Sequence, residues 1–316
     1  MCTAVRFDDN EGNMYFGRNL DWTEGYGEKV VITPTSYKYN SAYLGEMTPH
    51  HGAIIGMAII AENTPLYFDC ANQAGLAIAG LNFPGYAEYE KEPVENKTNV
   101  SAYEFPLWVT LNFSTVDEVE EALKDTCIVA KPINDQYPVS ELHYIIGDKN
   151  RSIVVEYTKN GMEIFHNDVD VLTNQPGYGW HQENLRNYMN LEPKKPHEVK
   201  WGEAKMMPFG SGSMMRGLPG DYYSPSRFVR VAYLNTHYPT KESEDENVIR
   251  LFHTLTGVAM IEGAANMDET SFEKTIYTGG YSTASQTYYY NTYDNPAIMH
   301  VSLSDYDLEK SDLIEV

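Results

Sequence analysis

Cysteine, basic charge and long apolar runs are all scarce in this chain of 316 residues. Its three cysteines, Cys2, Cys70 and Cys127, are too few and odd in number for a disulfide framework and suit a reducing cytoplasm. No apolar run approaches the roughly 20 residues that a membrane-spanning helix needs. The first residues carry neither a basic nor an apolar segment, so we expect no secretory signal, no membrane insertion and a cytoplasmic location.

Basic residues are outnumbered, since 23 Lys and Arg face 45 Asp and Glu, giving a formal charge of −22. This balance argues against nucleic acid as a partner. It also provides no long-range attraction for an anionic substrate, because charges are screened beyond about 8 Å at physiological salt. An anionic amphiphile would therefore bind through apolar burial and local cations.

Motifs for metal, phosphate and dinucleotide binding are missing as well. The chain has no His-Glu-x-x-His, Cys-x-x-Cys or phosphate loop, and its nine histidines are scattered. We therefore expect no metal and no organic cofactor. Gly280-Tyr-Ser-Thr-Ala284 imitates a serine-hydrolase elbow, but it lies between two strand-like runs, so we interpret it as a chance match.

No Pro-, Gly- or Ser-rich linker divides the chain, so we expect one domain over residues 1–316. Helical periodicity and caps predict helices over residues 103–111, 114–124, 180–189, 226–237 and 247–261. Apolar and β-branched runs predict strands over residues 2–7, 13–20, 29–33, 52–60, 66–70, 75–81, 142–146, 152–157, 161–165, 170–173, 274–277, 286–291 and 297–302. This order predicts an α+β domain of antiparallel hairpins covered by helices.

The first twenty-two residues predict a hairpin that brings three reactive groups together. Two strand-like runs flank a cluster of turn formers centred near Asn10. With that centre, Cys2 lies opposite Arg18, within one residue, and Asp21 lies just beyond the strand end. A thiol, a guanidinium and a carboxylate therefore converge.

Cys2 also follows the initiator Met, which is generally removed before a small residue. Loss of Met1 would leave Cys2 with both a thiol and an α-amine. Such an amine titrates at about 7.7–8.0 and can act as a general base, while a nearby cation favours the thiolate. The alternative from spacing alone is that Cys2 only permits Met removal, with Arg18 and Asp21 forming a surface ion pair.

Six short motifs follow one another along the chain: Met1-Cys-Thr3, Gly17-Arg-Asn-Leu-Asp-Trp22, Gly80-Leu-Asn-Phe-Pro-Gly85, Leu172-Thr-Asn-Gln-Pro176, Leu218-Pro-Gly-Asp221 and Ser226-Arg-Phe-Val-Arg230. In order and spacing they resemble the choloylglycine hydrolase family, the bile salt hydrolases and penicillin V acylases, which are N-terminal-nucleophile amidases. The resemblance implies a four-layer αββα sandwich and a homotetramer, in a bacterial cytoplasm.

The resemblance also implies a catalytic set, namely Cys2, Arg18, Asp21, Asn82, Asn174 and Arg227. Cys2 would attack the amide carbonyl, Arg18 would keep the sulfur reactive, and Asp21 would orient the Cys2 amine. Asn82 would offer its backbone N–H, and Asn174 its side-chain amide, to the oxyanion. Arg227 would support the surroundings of the nucleophile.

Three of these residues have plainer interpretations too. Asn82 and Asn174 each end an apolar strand before a turn that contains proline, where Asn is a common turn residue. Arg227 falls in the first turn of a helix that we expect Ser224 to cap, where the helix dipole disfavours a cation by about 0.3–1 kcal/mol. Arg227 therefore needs a partner there, unless its head group reaches solvent.

The substrate implied by the resemblance is a bile salt conjugated to glycine or taurine. Asn82 favours it over penicillin V, because penicillin acylases of the family tend to carry an aromatic residue at that position. An acylase for N-acyl homoserine lactones is a third possibility, and a non-catalytic binding protein on the same scaffold is the alternative from another class. The Met-rich segment 206–215 would either wall a steroid pocket or fill the core. We interpret Cys70 and Cys127 as packed thiols.

Overall fold

In a computed structural model that describes residues 1–316, two antiparallel sheets lie face to face between helices. The strands are β1 Cys2–Asp8, β2 Met14–Trp22, β3 Lys29–Thr33, β4 Tyr39–Ser41, β5 Gly45–Met47, β6 Ile54–Ala61, β7 Thr64–Asn72, β8 Ala77–Asn82, β9 Thr98–Ser101, β10 Thr126–Val129, β11 Leu142–Gly147, β12 Ser152–Thr158, β13 Gly161–His166, β14 Val171–Leu172, β15 Val199–Trp201, β16 Ala204–Met206, β17 Lys274–Ser282, β18 Thr287–Thr292, β19 Met299–Ser302 and β20 Ile314–Glu315. The helices are α1 Phe105–Asn112, α2 Val116–Leu123, α3 Tyr178–Asn184, α4 Ser224–His237 and α5 Glu244–Thr256.

The six-stranded sheet has the order β14-β1-β2-β17-β18-β19, and the eight-stranded sheet has the order β13-β12-β11-β8-β7-β6-β3-β20. Each predicted strand forms, within two residues at most of its ends, apart from a longer β17. The short strands β4, β5, β9, β10, β15, β16 and β20 were not predicted, because two to four residues carry too little periodicity.

The four layers follow from side chains that alternate along the strands. On β8, Ala77, Ala79 and Leu81 pack in one core with the six-stranded sheet, whereas Ile78 packs in a second core with α1. Helix α1 contacts β7 and β8, while α4 and α5 contact the six-stranded sheet. The predicted α+β class and the αββα sandwich are therefore confirmed.

The helices form where they were predicted, with different ends. Helix α5 begins at Glu244, because the Ser243 hydroxyl accepts from the backbone N–H of Glu246 in a capping box. It ends at Thr256, so the predicted extension to Ile261 is wrong. None of the helices combines the length and the apolar composition that crossing a membrane requires.

Candidate functional site

The β1–β2 hairpin forms with a register different from the predicted one. Cys2 pairs with Leu20, two residues beyond its expected partner Arg18. Arg18 instead pairs with Ala4. The turn is centred one residue later than Asn10, because the Asp9 carboxylate accepts from the backbone N–H groups of Glu11 and Asn13. A shift of two residues keeps Cys2 and Arg18 on the same face of the sheet, so the two side chains still meet.

Arg18 contacts the sulfur of Cys2 directly, with Nη2 2.7 Å from Sγ. Its Nη1 donates to the carbonyls of Phe68, at 3.0 Å, and Gly80, at 2.9 Å. Burial opposes its charge, but the Cys2 thiol and other neighbouring acidic groups keep the pKa of Arg18 above its ordinary value. The side chain is fully buried, so the surface ion pair with Asp21 is excluded.

Asp21 lies inside β2 and not beyond it, since β2 continues to Trp22. The Asp21 backbone N–H donates to the carbonyl of Met1 at 2.8 Å, so Met1 extends the hairpin by one pair. In the side chain, Oδ1 accepts from the Thr275 hydroxyl at 2.6 Å. The other oxygen, Oδ2, is buried and has no hydrogen-bond partner.

The terminal amine of Met1 donates to the carbonyl of Asp21 at 2.8 Å and forms an ion pair with the carboxylate of Glu273. Burial lowers the pKa of this amine, Arg227 and Arg18 act in the same direction, and Cys2 and Asp21 oppose them. Glu273 is itself buried. Sequence reasoning missed Glu273, because it lies 272 residues from Met1 in a stretch without a motif.

Asn174 joins three parts of the site. Its Oδ1 accepts from the backbone N–H of Cys2 at 2.8 Å and from Nη2 of Arg227 at 2.7 Å. Its Nδ2 donates to the carbonyl of Asn82 at 2.7 Å and keeps a second N–H for another acceptor. The structure therefore brings the ends of β8 and β14 together beside the backbone of Cys2.

Arg227 is fully buried in the first turn of α4. Besides Asn174, it donates to the Cys2 carbonyl, to the Thr3 hydroxyl at 2.6 Å and to the Tyr222 carbonyl at 2.8 Å. Burial lowers its pKa, while Asp21 and Cys2 raise it. The alternative that its head group reaches solvent is therefore wrong. The predicted cap was misplaced by one residue, since Ser224 is the first helical residue and Tyr223 precedes it.

A buried pair, His143 and Glu156, was missed from the sequence. His143 contacts a chain neighbour of each asparagine, Phe83 and Thr173. Its imidazole stacks on Phe83, the residue after Asn82, with ring centroids 4.0 Å apart. Nδ1 lies 3.1 Å from Glu156 Oε1, and Nε2 lies 2.8 Å from the Thr173 carbonyl. The imidazole therefore joins β12 to the residue before Asn174. A histidine one strand away from a motif gives no sequence signal.

The other two cysteines are buried in the second core, the one that contains α1. Burial raises the pKa of Cys70, whose thiol contacts the Pro106 carbonyl and the Thr110 hydroxyl. Cys127 contacts the Tyr157 hydroxyl at 3.2 Å. Both predictions of packed thiols are confirmed. Segment 206–215 does not fill the core, because Met206, Met207 and Phe209 are exposed.

No three His, Cys, Asp or Glu side chains are grouped so that they could hold a metal ion. A cavity of about 350 Å³ lies beside the turns that follow Asn82 and Asn174, where Gly85, Tyr86 and Gly177 line it together with Glu156. What the site itself presents is a thiol in contact with a guanidinium, a carboxylate oxygen without a partner, and amide donors at two strand ends. This set can carry out nucleophilic acyl transfer.

Comparisons with known proteins agree with this geometry. A family model for linear amide C-N hydrolases, choloylglycine hydrolase family, matches residues 2–316. A bile salt hydrolase/transferase of Bifidobacterium longum subsp. longum is 52% identical over 316 residues, which cover 100% of this chain and 99% of the relative. The crystal structure of a C2A mutant of conjugated bile acid hydrolase from Clostridium perfringens is 36% identical, covers 100% of this chain and 96% of its own, and has a TM-score of 0.93.

A more distant structure shares the fold alone. The penicillin V acylase from Agrobacterium tumefaciens has a TM-score of 0.77 and 19% identity, and the alignment covers 99% of this chain and 90% of that one.

Proposed function

The chain belongs to the choloylglycine hydrolase family, and on that premise we propose that it hydrolyses the amide bond of bile salts conjugated to glycine or taurine. It is a hydrolase of linear amide bonds. The observation that carries the substrate assignment is the 52% identity to a bile salt hydrolase/transferase over the full chain. The acylase likeness, at 19% identity, supports only the common fold.

The nucleophile in this proposal is the thiol of Cys2, after removal of Met1. Two features of the site support it. Arg18 Nη2 lies 2.7 Å from the sulfur, where its charge favours the thiolate. The buried Asp21 Oδ2 has no donor while Met1 is present, and the Cys2 amine would provide one.

The reaction then needs no metal and no organic cofactor. The Cys2 thiolate attacks the amide carbonyl, and the α-amine carries a proton to the nitrogen of the leaving amino acid. The oxyanion accepts from the Asn82 backbone N–H and from the second N–H of Asn174 Nδ2. Water, deprotonated by the same amine, then hydrolyses the thioester, which releases the bile acid and regenerates the thiol.

The competing proposals differ in substrate or in class. Penicillin V and N-acyl homoserine lactones fit the same chemistry, and Asn82, in place of an aromatic residue, favours the bile salts over penicillin V. A binding protein without catalysis would tolerate losses in the site, whereas all six expected residues are present. Hydrogen bonds join five of them in one cluster, Cys2, Arg18, Asn82, Asn174 and Arg227, and Asp21 bonds the neighbouring Met1 and Thr275. We assign no preference between glycine and taurine.

The test is amino-acid release from glycocholate, taurocholate and penicillin V by the same preparation, with Met1 loss verified by intact mass. The proposal expects release of glycine or taurine from the bile salts at a rate at least about tenfold above penicillin V cleavage. Turnover of penicillin V alone would transfer the substrate to the acylase alternative. No turnover of any of the three, with Met1 removed, would overturn the proposed substrate class.

We also propose a homotetramer in the cytoplasm. The support is an exposed hairpin of β15 and β16, whose six residues are all exposed and include Trp201. A two-stranded hairpin is marginal on its own, and exposed apolar side chains on it suit contact with another copy. The three cysteines are free and buried, which suits a reducing compartment.

Light scattering of the purified chain tests the assembly. The proposal expects a mass four times 35.9 kDa for the wild type. Trp201→Ser with Phe209→Ser should shift it to smaller species, and Ile298→Ser, which replaces an exposed side chain elsewhere, should not. A monomeric wild type would contradict the proposed tetramer and would leave the proposed reaction unaffected.

A further inference from the structure

A second buried carboxylate, Asp69, lies close to the site and has no role in the reaction described so far. It is in the middle of β7 and is 3% exposed. Its Oδ1 accepts from the Tyr277 hydroxyl at 2.5 Å, and its Oδ2 accepts from the Tyr288 hydroxyl at 2.7 Å. Because each oxygen accepts from a phenol, the arrangement is that of an ionised carboxylate.

The two phenols remain neutral donors in this arrangement. Burial raises the pKa of Tyr277 and of Tyr288 well above the ordinary value, and the neighbouring Asp69 raises both further. Burial is the largest effect on Asp69 and leaves its pKa above the ordinary value, although Arg18 and the two phenols act to lower it. Burying a carboxylate is costly, and here two phenols and a nearby guanidinium offset that cost. Such a group is retained when it has a specific role.

Gly279 makes room for this cluster. A Cβ on Gly279 would lie 2.2 Å from the Tyr288 hydroxyl oxygen and 3.2 Å from Cε2 of Tyr277. Only glycine at this position of β17 allows the phenol of Tyr288 to reach Asp69. Gly279 is also the residue that pairs with Arg18 across β2 and β17, so the cluster lies next to Arg18.

Arg18 connects the cluster to the sulfur. One end of its guanidinium donates to Cys2 Sγ, and Nη1 donates to the carbonyl of Phe68, the residue before Asp69. The guanidinium carbon is 6.0 Å from the centroid of the Tyr277 ring. The sulfur therefore contacts this buried cation directly, whereas Asp69 forms no ion pair with it and acts on it through its charge.

We propose that Asp69 is a positioning residue that acts on Cys2 through Arg18, by supplying a counter-charge that stays constant while the charge on sulfur changes. The proposal rests on Cys2 being the nucleophile. When the thiolate attacks, its electron pair forms the S–C bond and the charge moves to the carbonyl oxygen. Arg18 then loses its thiolate partner, and a buried cation without a counter-charge is costly.

Asp69 has a second effect on the sulfur. Its negative charge and that of the thiolate lie near the same guanidinium, and the two anions repel each other across it. The groups facing Cys2 are the terminal amine, Arg18, Asp21, Tyr26, Arg227 and Tyr277. The groups facing Asp69 are Arg18, Cys70, Tyr277 and Tyr288. Asp69 is thus the anion that shares Arg18 with the sulfur.

The test measures the rate of Cys2 alkylation by iodoacetamide against pH, in the full chain after verified loss of Met1. Mass spectrometry of the N-terminal peptide separates Cys2 from Cys70 and Cys127. Asp69→Asn should move the midpoint of this profile about one pH unit lower, since one neighbouring anion is removed. Tyr144→Phe removes an equally buried phenol in the other core and should leave the midpoint unchanged.

Either of two results would overturn the proposal. A folded Asp69→Asn with an unchanged or raised midpoint would overturn the proposal, because a merely structural role moves no midpoint. If Asp69→Asn does not fold, Tyr277→Phe with Tyr288→Phe replaces it, and a midpoint equal to that of Tyr144→Phe would overturn the proposal. No bile salt enters the measurement, so a wrong substrate assignment leaves this result unaffected.

Discussion

The side-chain amide of Asn174 donates to the backbone carbonyl of Asn82 at 2.7 Å, although 92 residues separate the two in the chain. The same amide accepts from the backbone N–H of Cys2 and from Arg227. One side chain therefore fixes the nucleophile, its supporting cation and both proposed oxyanion donors relative to one another.

Asn174→Ala is expected to lower kcat by about 10²–10³, because an oxyanion donor is lost and Arg227 is left without one acceptor. Asn82→Ala is the matched control, since its proposed donor is the backbone N–H and survives the change. Steady-state kinetics of glycine release should show at least about tenfold less damage in Asn82→Ala. Equal damage in both would contradict the assigned donors.

Arg227→Lys is expected to lower turnover by at least about tenfold while the chain stays folded. A lysine places one ammonium where a planar guanidinium now reaches Asn174, Thr3 and the Cys2 carbonyl. Arg230→Lys, on the same helix, is the control because Arg230 is partly exposed and makes one hydrogen bond, to the Pro219 carbonyl. Circular dichroism and turnover are measured together; turnover equal in the two variants would contradict a special role for Arg227.

Glu156→Gln should lower kcat about tenfold or more with little change in KM. Glu156 Oε1 holds both His143 and the backbone N–H of Tyr178, and a neutral amide weakens both hydrogen bonds. His143 in turn contacts Phe83 and the Thr173 carbonyl, the neighbours of the two asparagines. Glu163→Gln, at the position opposite Glu156 on β13, replaces an exposed side chain and should keep wild-type kinetics. An effect confined to KM would instead place Glu156 in substrate binding.

His181 is expected to make the fold less stable in acid. Burial is the main cause that lowers its pKa from the ordinary 6.5 to about 4, and its Nε2 donates to the Asn174 carbonyl at 3.0 Å. Below pH 6.5 His181 is protonated in the unfolded chain but stays neutral in the folded chain until the pH approaches 4. The free energy of unfolding therefore falls as the pH falls towards 4. The loss at pH 4.5 is about 2 kcal/mol.

Urea unfolding at pH 7.5 and pH 4.5 checks this effect. His181→Gln should show a pH difference in unfolding free energy smaller than that of the wild type by about 2 kcal/mol. His253→Gln, which replaces an exposed histidine on α5, should match the wild type. An identical pH difference in all three proteins would show that His181 titrates normally in the folded state.

The sequence predicted the fold well, because strands of six or more residues show clear apolar runs and three of the five helices have recognisable start signals. It placed Cys2 and Arg18 on one face of one hairpin, yet two residues out of register, because the Asp9 turn shifts the hairpin centre. The error was harmless only because two is the side-chain period of a strand.

The sequence could not reveal the contacts that site residues make with residues on distant strands. No short motif marks Glu273, His143 or Asp69. Glu273 meets Met1 only when β17 joins the N-terminal hairpin, and His143 and Asp69 meet Thr173 and Tyr277 only when the two sheets pack. Buried polar groups of this kind follow from tertiary contacts, and local spacing does not encode them.

The most direct test of the central claim is glycine release from glycocholate by wild type, Cys2→Ser, Cys70→Ala and Cys127→Ala, each with Met1 loss verified by intact mass. If Cys2 is the nucleophile, Cys2→Ser loses at least about 10³-fold in turnover, while the two buried-cysteine variants that remain folded stay within about threefold of the wild type. Glycine release that persists in Cys2→Ser, or full activity in a chain that retains Met1, would contradict the N-terminal cysteine mechanism.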